Sequence, residues 1–224
     1  MDLISLIFQS TAFIAAFYIV FVIIRKNVKY LGNKLFVISF VLFGFYALVL
    51  FLYEFPISII FNEILIGSSL IIIVMGILFF VLSMQVFVQS SIFLKKPITK
   101  VIIIISVVVC VLTFFFPYKV LQIQPEIEAD KNIISLLTTG IWVFILMIYN
   151  SIQLYKTLQN IEDPDKTLKN KINLLLIAQL LAILSPTMSI IGNITKNSLL
   201  HSTMFIFLAI PMVIVGFIIS KERD

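Results

Sequence analysis

The chain has 224 residues, of which 61% are hydrophobic and only 12% charged, with a formal net charge of +5 and a mean hydropathy of +1.17. That is more apolar surface than a water-soluble core of this length can hide, so most of it faces lipid. The positive charge is confined to short segments between apolar runs, which points to membrane orientation and away from nucleic acid.

A single cysteine, Cys110, excludes an internal disulfide. With a single histidine, His201, the chain lacks a cluster of soft ligands for zinc, copper, haem or iron–sulfur, so no metal and no cofactor are expected.

The first apolar run, Leu3 to Ile24, carries no charge and precedes its basic cluster. A secretory signal has a positive segment first, a shorter core and small residues at a cleavage site, so this run is an uncleaved first span. Arg25, Lys26, Lys29 and Lys34 follow with no acidic residue among them, and Arg25 to Lys34 reads as a cytoplasmic loop. Leu35 to Tyr53 is the second span, ended by Glu54, Phe55 and Pro56. The third runs from about Asn62 as one long, tilted helix whose inner end is marked by Gln85, Gln89, Ser90 and Ser91.

Lys95, Lys96 and Lys100 surround Pro97 in a short inner loop, and the fourth span extends from Ile98 or Val101 to Pro117. It is rich in Ile and Val, which in water suggests a buried strand, but lipid does not tolerate an open sheet edge, and this selects a helix. The outer loop, Tyr118 to Asn132, sets Glu126, Glu128 and Asp130 against Lys119 and Lys131. Its Leu121-Gln122-Ile123-Gln124 and Glu126-Ile127-Glu128 alternate as an extended segment does, which leaves a small flap or hairpin over the outer face open.

The fifth span, Ile133 to Leu154, contains the only tryptophan, Trp142. Asp163-Pro164-Asp165 reads as the start of the sixth helix, with Asp163 as N-cap and Pro164 at the first helical position. That helix enters the bilayer near Ile172 and ends near Asn193, and Ser185-Pro186-Thr187 is expected to kink it. After a turn with Lys196, the seventh span runs from Leu199 to Ser220 with Pro211 near its middle. Only Lys221-Glu222-Arg223-Asp224 follow, so an output is expected from a separate partner.

On this plan only Lys119, Lys131 and Lys196 fall outside, while every other lysine and arginine lies in an inner loop or at the C-terminus. The expected fold is all-α, a single seven-helix transmembrane domain over residues 1–224. Its N-terminus is outside and its C-terminus cytoplasmic, in the cell membrane as a multi-pass protein.

Read in register, polar residues gather in the outer half: Gln9, Ser10 and Thr11; Glu54; Glu63 with Ser68 and Ser69; Thr138 and Thr139; Ser185, Thr187 and Asn193; His201 and Thr203. A cavity open to the outside would use such groups to bind a small amphipathic ligand. Serine and threonine in membrane helices also bond their own backbone or glue helices together. The candidate ligand-binding set is Gln9, Glu54, Glu63, Thr138, Thr139, Ser185, Thr187 and His201.

Glu54 and Glu63, separated by a short turn, either share a cation or proton or are solvated helix ends, with Glu63 suiting the helix dipole. His201 is a candidate pH sensor or proton relay, or is merely solvated. Pro186 and Pro211 are candidate conformational hinges. Gln85, Gln89, Asn150, Gln153 and Gln179 form either a hydrogen-bonded layer joining the third, fifth and sixth helices or simple packing glue.

The chain has no Gly-x-Ser-x-Gly elbow, no His-Glu-x-x-His pair, no phosphate-cradling glycine loop and no second histidine, so no enzyme activity is expected. The seven-span plan is that of retinal proteins and G-protein-coupled receptors, but Leu199 to Ser220 lacks the lysine a retinal protein needs. Gln89-Ser90-Ser91 stands where a receptor has Asp-Arg, and the last span lacks Asn-Pro-x-x-Tyr. SWEET-type sugar transporters match in span count, but their first and fifth helices carry prolines, absent from Leu3 to Ile24 and Ile133 to Leu154.

Ala12, Ala15, Ala16 and Tyr18 lead to Arg25-Lys26 and Asn33-Lys34, and Phe40, Phe45 and Tyr46 lead to Glu54. Over these two spans the chain resembles the seven-span sensor domain at the N-terminus of some prokaryotic histidine kinases and cyclic-dinucleotide enzymes. The resemblance implies sensing of a ligand or membrane state.

The expected role is therefore sensory or receptor-like. A small ligand binds in the outer half, the sixth and seventh helices respond, and a separate cytoplasmic or membrane partner carries the signal. The alternatives are a small-molecule or ion transporter or channel, which needs a polar path continuous to Gln85, Asn150 and Gln179, and an assembly subunit of a membrane complex. The lipid bilayer is the constant partner, nucleic acid is not expected, and a homo-oligomer is left open.

Overall fold

A computed structural model of the chain describes residues 3–27, 29–124, 127–130, 132–161, 166–195 and 197–221. The expected cap at Asp163 and Pro164 lies outside these residues, as do Glu126, Lys131, Lys196, residues 222–224 and the side chain of Asn193.

Seven helices are long and apolar enough to cross a membrane. They are α1 (Leu3–Asn27), α2 (Leu31–Tyr53), α3 (Ile59–Gln89), α4 (Pro97–Phe115), α5 (Ile133–Gln159), α6 (Lys166–Thr195) and α7 (Ser198–Ser220). A 3-10 turn, Ser91–Lys95, joins α3 to α4. The fold is not purely helical, because β1 (Lys119–Gln122) and β2 (Glu128–Asp130) form a small antiparallel hairpin between α4 and α5. Lys119 pairs with Asp130 and Val120 with Ala129, and the register then shifts so that Gln122 meets Glu128.

Several boundaries differ from the sequence reading for local reasons. The basic stretch after α1 is only partly loop: Arg25 and Lys26 sit in the last turn of α1, where cations suit the helix dipole, and α2 starts at Leu31. Helix α3 begins before Asn62, because the Ser58 side chain caps it by accepting the Phe61 N–H at 3.2 Å. Asn62 is instead fully buried, and its Nδ2 donates to the carbonyls of Tyr53 (2.9 Å) and Phe55 (3.0 Å), stitching the α2–α3 turn.

At the other end of α3, Ser90 takes a left-handed φ of 66°, which stops the helix and turns the chain into the 3-10 segment. Pro97 then occupies the first position of α4, and the helix stops at Phe115, because Phe116 precedes Pro117 and is pushed out of the helical region.

Antiparallel neighbours pack through aromatic and small residues. Phe36, Phe40 and Phe43 of α2 interlock with Phe80 of α3 at ring-centroid distances of 5.6 to 6.3 Å. Hydroxyls tie the same pair of helices: Ser39 donates to the Gly76 carbonyl at 2.8 Å and Ser83 to the Gly32 carbonyl at 2.5 Å. On the other flank, Trp142 Nε1 of α5 donates to Ser106 Oγ of α4 at 2.8 Å, and Thr113 and Thr139 hydroxyls meet at 3.3 Å. One stripe of α5, Ile134, Leu137, Ile141, Ile145, Ile148 and Ile152, is exposed at helical spacing and suits lipid.

This alternation gives the bundle two unlike ends. One gathers the basic residues of the α1–α2 and α3–α4 connections and of the α5 C-terminus. The other carries the hairpin. Glu63, near the start of α3, holds the hairpin down: its Oε1 accepts the Val120 N–H at 3.0 Å. Glu63→Ala is expected to loosen the hairpin by about 1 kcal/mol, seen as faster amide exchange at Val120 with helix content unchanged. Glu63→Gln keeps an acceptor oxygen and should restore most of the protection.

Candidate functional site

At the hairpin end the helices spread around a cavity of about 450 Å³. Its walls follow from helical spacing. Tyr46, Leu50 and Tyr53 lie four and three residues apart and so share one face of α2, opposite Ile66, Ser69 and Leu70 of α3. Tyr118, Ile127, Glu128 and Ala129 bring the hairpin over it as a roof. Ser189 of α6 and His201 of α7 complete the wall, with His201 Nδ1 lying 3.4 Å from Ser189 Oγ.

On the α1 side, Gln9 Nε2 donates to Ser5 Oγ at 3.0 Å, and the Ser5 hydroxyl donates to Glu54 Oε1 at 3.3 Å. Gln9 and Ser5, four residues apart, thus tie α1 to the end of α2. Burial pushes the Tyr118 phenol up to about 12.

A second cavity of about 110 Å³ lies against the first and shares Tyr46, Leu70, Leu136 and Ser189 with it. Thr139, Ser185 and Ser189 are among its polar lining, Gly140 and Pro186 also border it, and Ile77, Val143, Met147 and Leu208 are among its apolar wall. Toward the basic end the core closes: Phe80, Met84, Leu146 and Met147 are each at most 2% exposed.

Within this closed half runs a chain of hydrogen bonds of one polarity. Lys96 Nζ donates to Gln89 Oε1 (2.7 Å), Gln89 Nε2 to Gln85 Oε1 (2.7 Å), and Gln85 Nε2 to Asn150 Oδ1 (2.6 Å). Asn150 Nδ2 donates to Gln179 Oε1 (2.8 Å), and Gln179 Nε2 to the Met147 carbonyl (3.1 Å). Of the expected amide layer, Gln153 is not a member.

The sequence-predicted residues divide. Gln9, Glu54 and His201 line the larger cavity, and Thr139, Ser185 and Pro186 the smaller. Thr138 and Thr187 line neither, and their hydroxyls bond back to the carbonyls of Ile134 (2.7 Å) and Ile183 (2.9 Å). Glu63 is occupied with the hairpin, so Glu54 and Glu63 do not face one cavity together. Pro211 is buried within α7, away from both cavities. Among the described residues no three His, Cys, Asp or Glu side chains come together as metal ligands would.

Sequence reasoning missed Tyr53, Tyr118 and Ser189 as lining residues and took Tyr46 only as an aromatic of the second span. The signal was present: Tyr46 with Tyr53, and Ser185 with Ser189, are polar-tipped pairs that recur on one helix face. Comparison of the chain with protein-family models, with curated proteins and with solved structures finds no match.

Proposed function

We propose that this seven-helix protein is a receptor-like sensor of the cell membrane that binds a small amphipathic ligand in its roofed cavity. The basic end, with Arg25, Lys26, Lys29, Lys34, Lys95, Lys96, Lys100 and Lys156, faces the cytoplasm under the positive-inside rule, which puts the N-terminus, the hairpin and the cavity outside. A separate cytoplasmic or membrane partner reads that basic end. The resemblance of the first two spans to seven-span sensor domains favours the same reading.

One observation carries it. Two adjoining cavities, the upper the more polar of the two, lie against a tightly packed and hydrogen-bonded half, and none of Gln85, Asn150 and Gln179 is among the described residues that line either. Such a site suits a ligand with a polar head and an apolar tail.

Gly140 supplies the test, because a Cβ built there meets nothing within 4 Å and the smaller cavity lies beside it. Gly140→Leu is expected to fold normally, fill that space, and lower the affinity for a hexyl-chain probe about tenfold or more, read by calorimetry in nanodiscs. The transporter reading makes the opposite demand, that the same probe cross proteoliposome membranes faster with the protein than without it. Protein-dependent flux, or an unchanged affinity in Gly140→Leu, would sink the sensor reading.

A further inference from the structure

Among the described residues that line the larger cavity, Glu54 and Glu128 are acidic, His201 is the one basic side chain, and there is no lysine or arginine, in a chain of net charge +5.

Carboxylates alone do not identify a ligand, but Gln9 supplies an independent observation. Gln9 lines the cavity, retains 3% of its surface, and its Oε1 has no hydrogen-bond partner. Ser5 donates its hydroxyl proton to Glu54 and receives an N–H from Gln9, which leaves the Gln9 carbonyl as an acceptor lacking a donor, one hydroxyl away from a carboxylate.

Tyrosine rings complete the wall. Tyr46, Tyr53 and Tyr118 all line the cavity, and the Tyr46 hydroxyl is engaged with Met204 Sδ at 4.0 Å. Aromatic faces attract an ammonium group, carboxylates pair with it, and its N–H groups are donors with no acceptor capacity of their own. An anion would meet two carboxylates and an unpaired carbonyl, while an alcohol would satisfy Gln9 but gain nothing from the charge.

We infer that the ligand is a small amphipathic amine, its ammonium group held by Gln9 and Glu54 beneath the hairpin and its apolar tail reaching toward Gly140. This rests on the cavity being the ligand site.

The test is calorimetry on the full chain in nanodiscs of uncharged phosphatidylcholine, with hexylamine, hexanol and hexanoate as probes sharing one tail. Hexylamine should bind about tenfold more tightly than hexanol, with hexanoate weakest. Glu54→Gln keeps an acceptor for Ser5 but removes the charge, and should cut the advantage of the amine over hexanol to about twofold. Should that variant fold poorly, Glu128→Gln on the exposed hairpin reads the same loss at smaller size.

If hexanol or hexanoate binds as tightly as hexylamine and loses that binding in Gly140→Leu, the amine is overturned and the cavity stands. If no probe binds above protein-free nanodiscs, both are overturned. A preference for the amine that persists undiminished in both glutamine variants also overturns the assignment.

Discussion

Replacing Gly192 with alanine should destabilise the protein by about 1 to 3 kcal/mol and weaken ligand binding at the same time. Gly192 is buried near the end of α6, where the first turn of α7 crosses it. A Cβ there would fall 2.6 Å from His201 Cα and close to its backbone nitrogen as well. Flexible side chains can yield to such an overlap, but a helical backbone cannot, so α7 has to shift. His201 also lines the larger cavity, which converts the shift into lost affinity.

Chemical denaturation in detergent micelles reads the first effect and hexylamine calorimetry the second. Gly140→Ala is the matched control: the same added methyl meets open space and should stabilise the helix by up to about 1 kcal/mol. Equal effects at the two glycines would refute the close-approach argument.

The second large effect is expected at Asn150. Asn150→Leu removes the acceptor of Gln85 and the donor of Gln179 together, deep in the closed half where both amides are fully buried. Each interhelical hydrogen bond in a membrane protein contributes on average about 0.6 kcal/mol and at most about 1.7 kcal/mol. The two losses and the stranded amide groups together cost about 2 kcal/mol.

Asn150→Asp should be worse at a pH high enough to ionise it. A carboxylate offers Gln179 Oε1 no donor, and if Gln179 turns to meet it, the Gln179 oxygen faces the Met147 carbonyl instead. Protonated, the same side chain donates to Gln179 and accepts from Gln85 as the amide does. Melting temperatures in the order wild type, Leu variant, Asp variant at alkaline pH, with the Asp variant recovering as the pH falls, check this. A Leu variant that melts with the wild type would mean that packing alone holds α3, α5 and α6 together.

The spans were legible in the sequence because a charge in hydrocarbon is costly, which keeps lysine and arginine out of the middle of the apolar runs. The same logic limits what could be read. Gln9, Glu54, His201, Thr139 and Ser185 were found as polar residues in the outer half, and depth alone was enough to bring them to one end of the bundle. Depth could not distinguish Thr139, which faces a cavity, from Thr138, which bonds its own helix, because that depends on rotation about the helix axis.

Nor could it assign Glu63, whose partner is a backbone N–H 57 residues further along the chain. A flap or hairpin over the outer face was foreshadowed by alternation in the loop after α4, but not which of its residues reach the cavity, since that depends on where α3 and α5 hold its two ends. Local caps at Ser58 and Pro97 moved boundaries by a few residues for reasons the sequence already contained.

The helix lengths have a consequence for the membrane itself. Helix α4 has 19 residues and α3 has 31, or about 28 Å and about 46 Å at 1.5 Å per residue. A hydrocarbon layer of about 30 Å is therefore barely spanned by the first and much exceeded by the second. The long helix adapts by tilting or by projecting into the headgroups, but the short one has no slack. Bilayer thickness thus acts on this protein through α4. In a thick membrane, rich in sterol or long acyl chains, lipid next to α4 must thin to meet it, with an elastic cost that falls away in a thinner one.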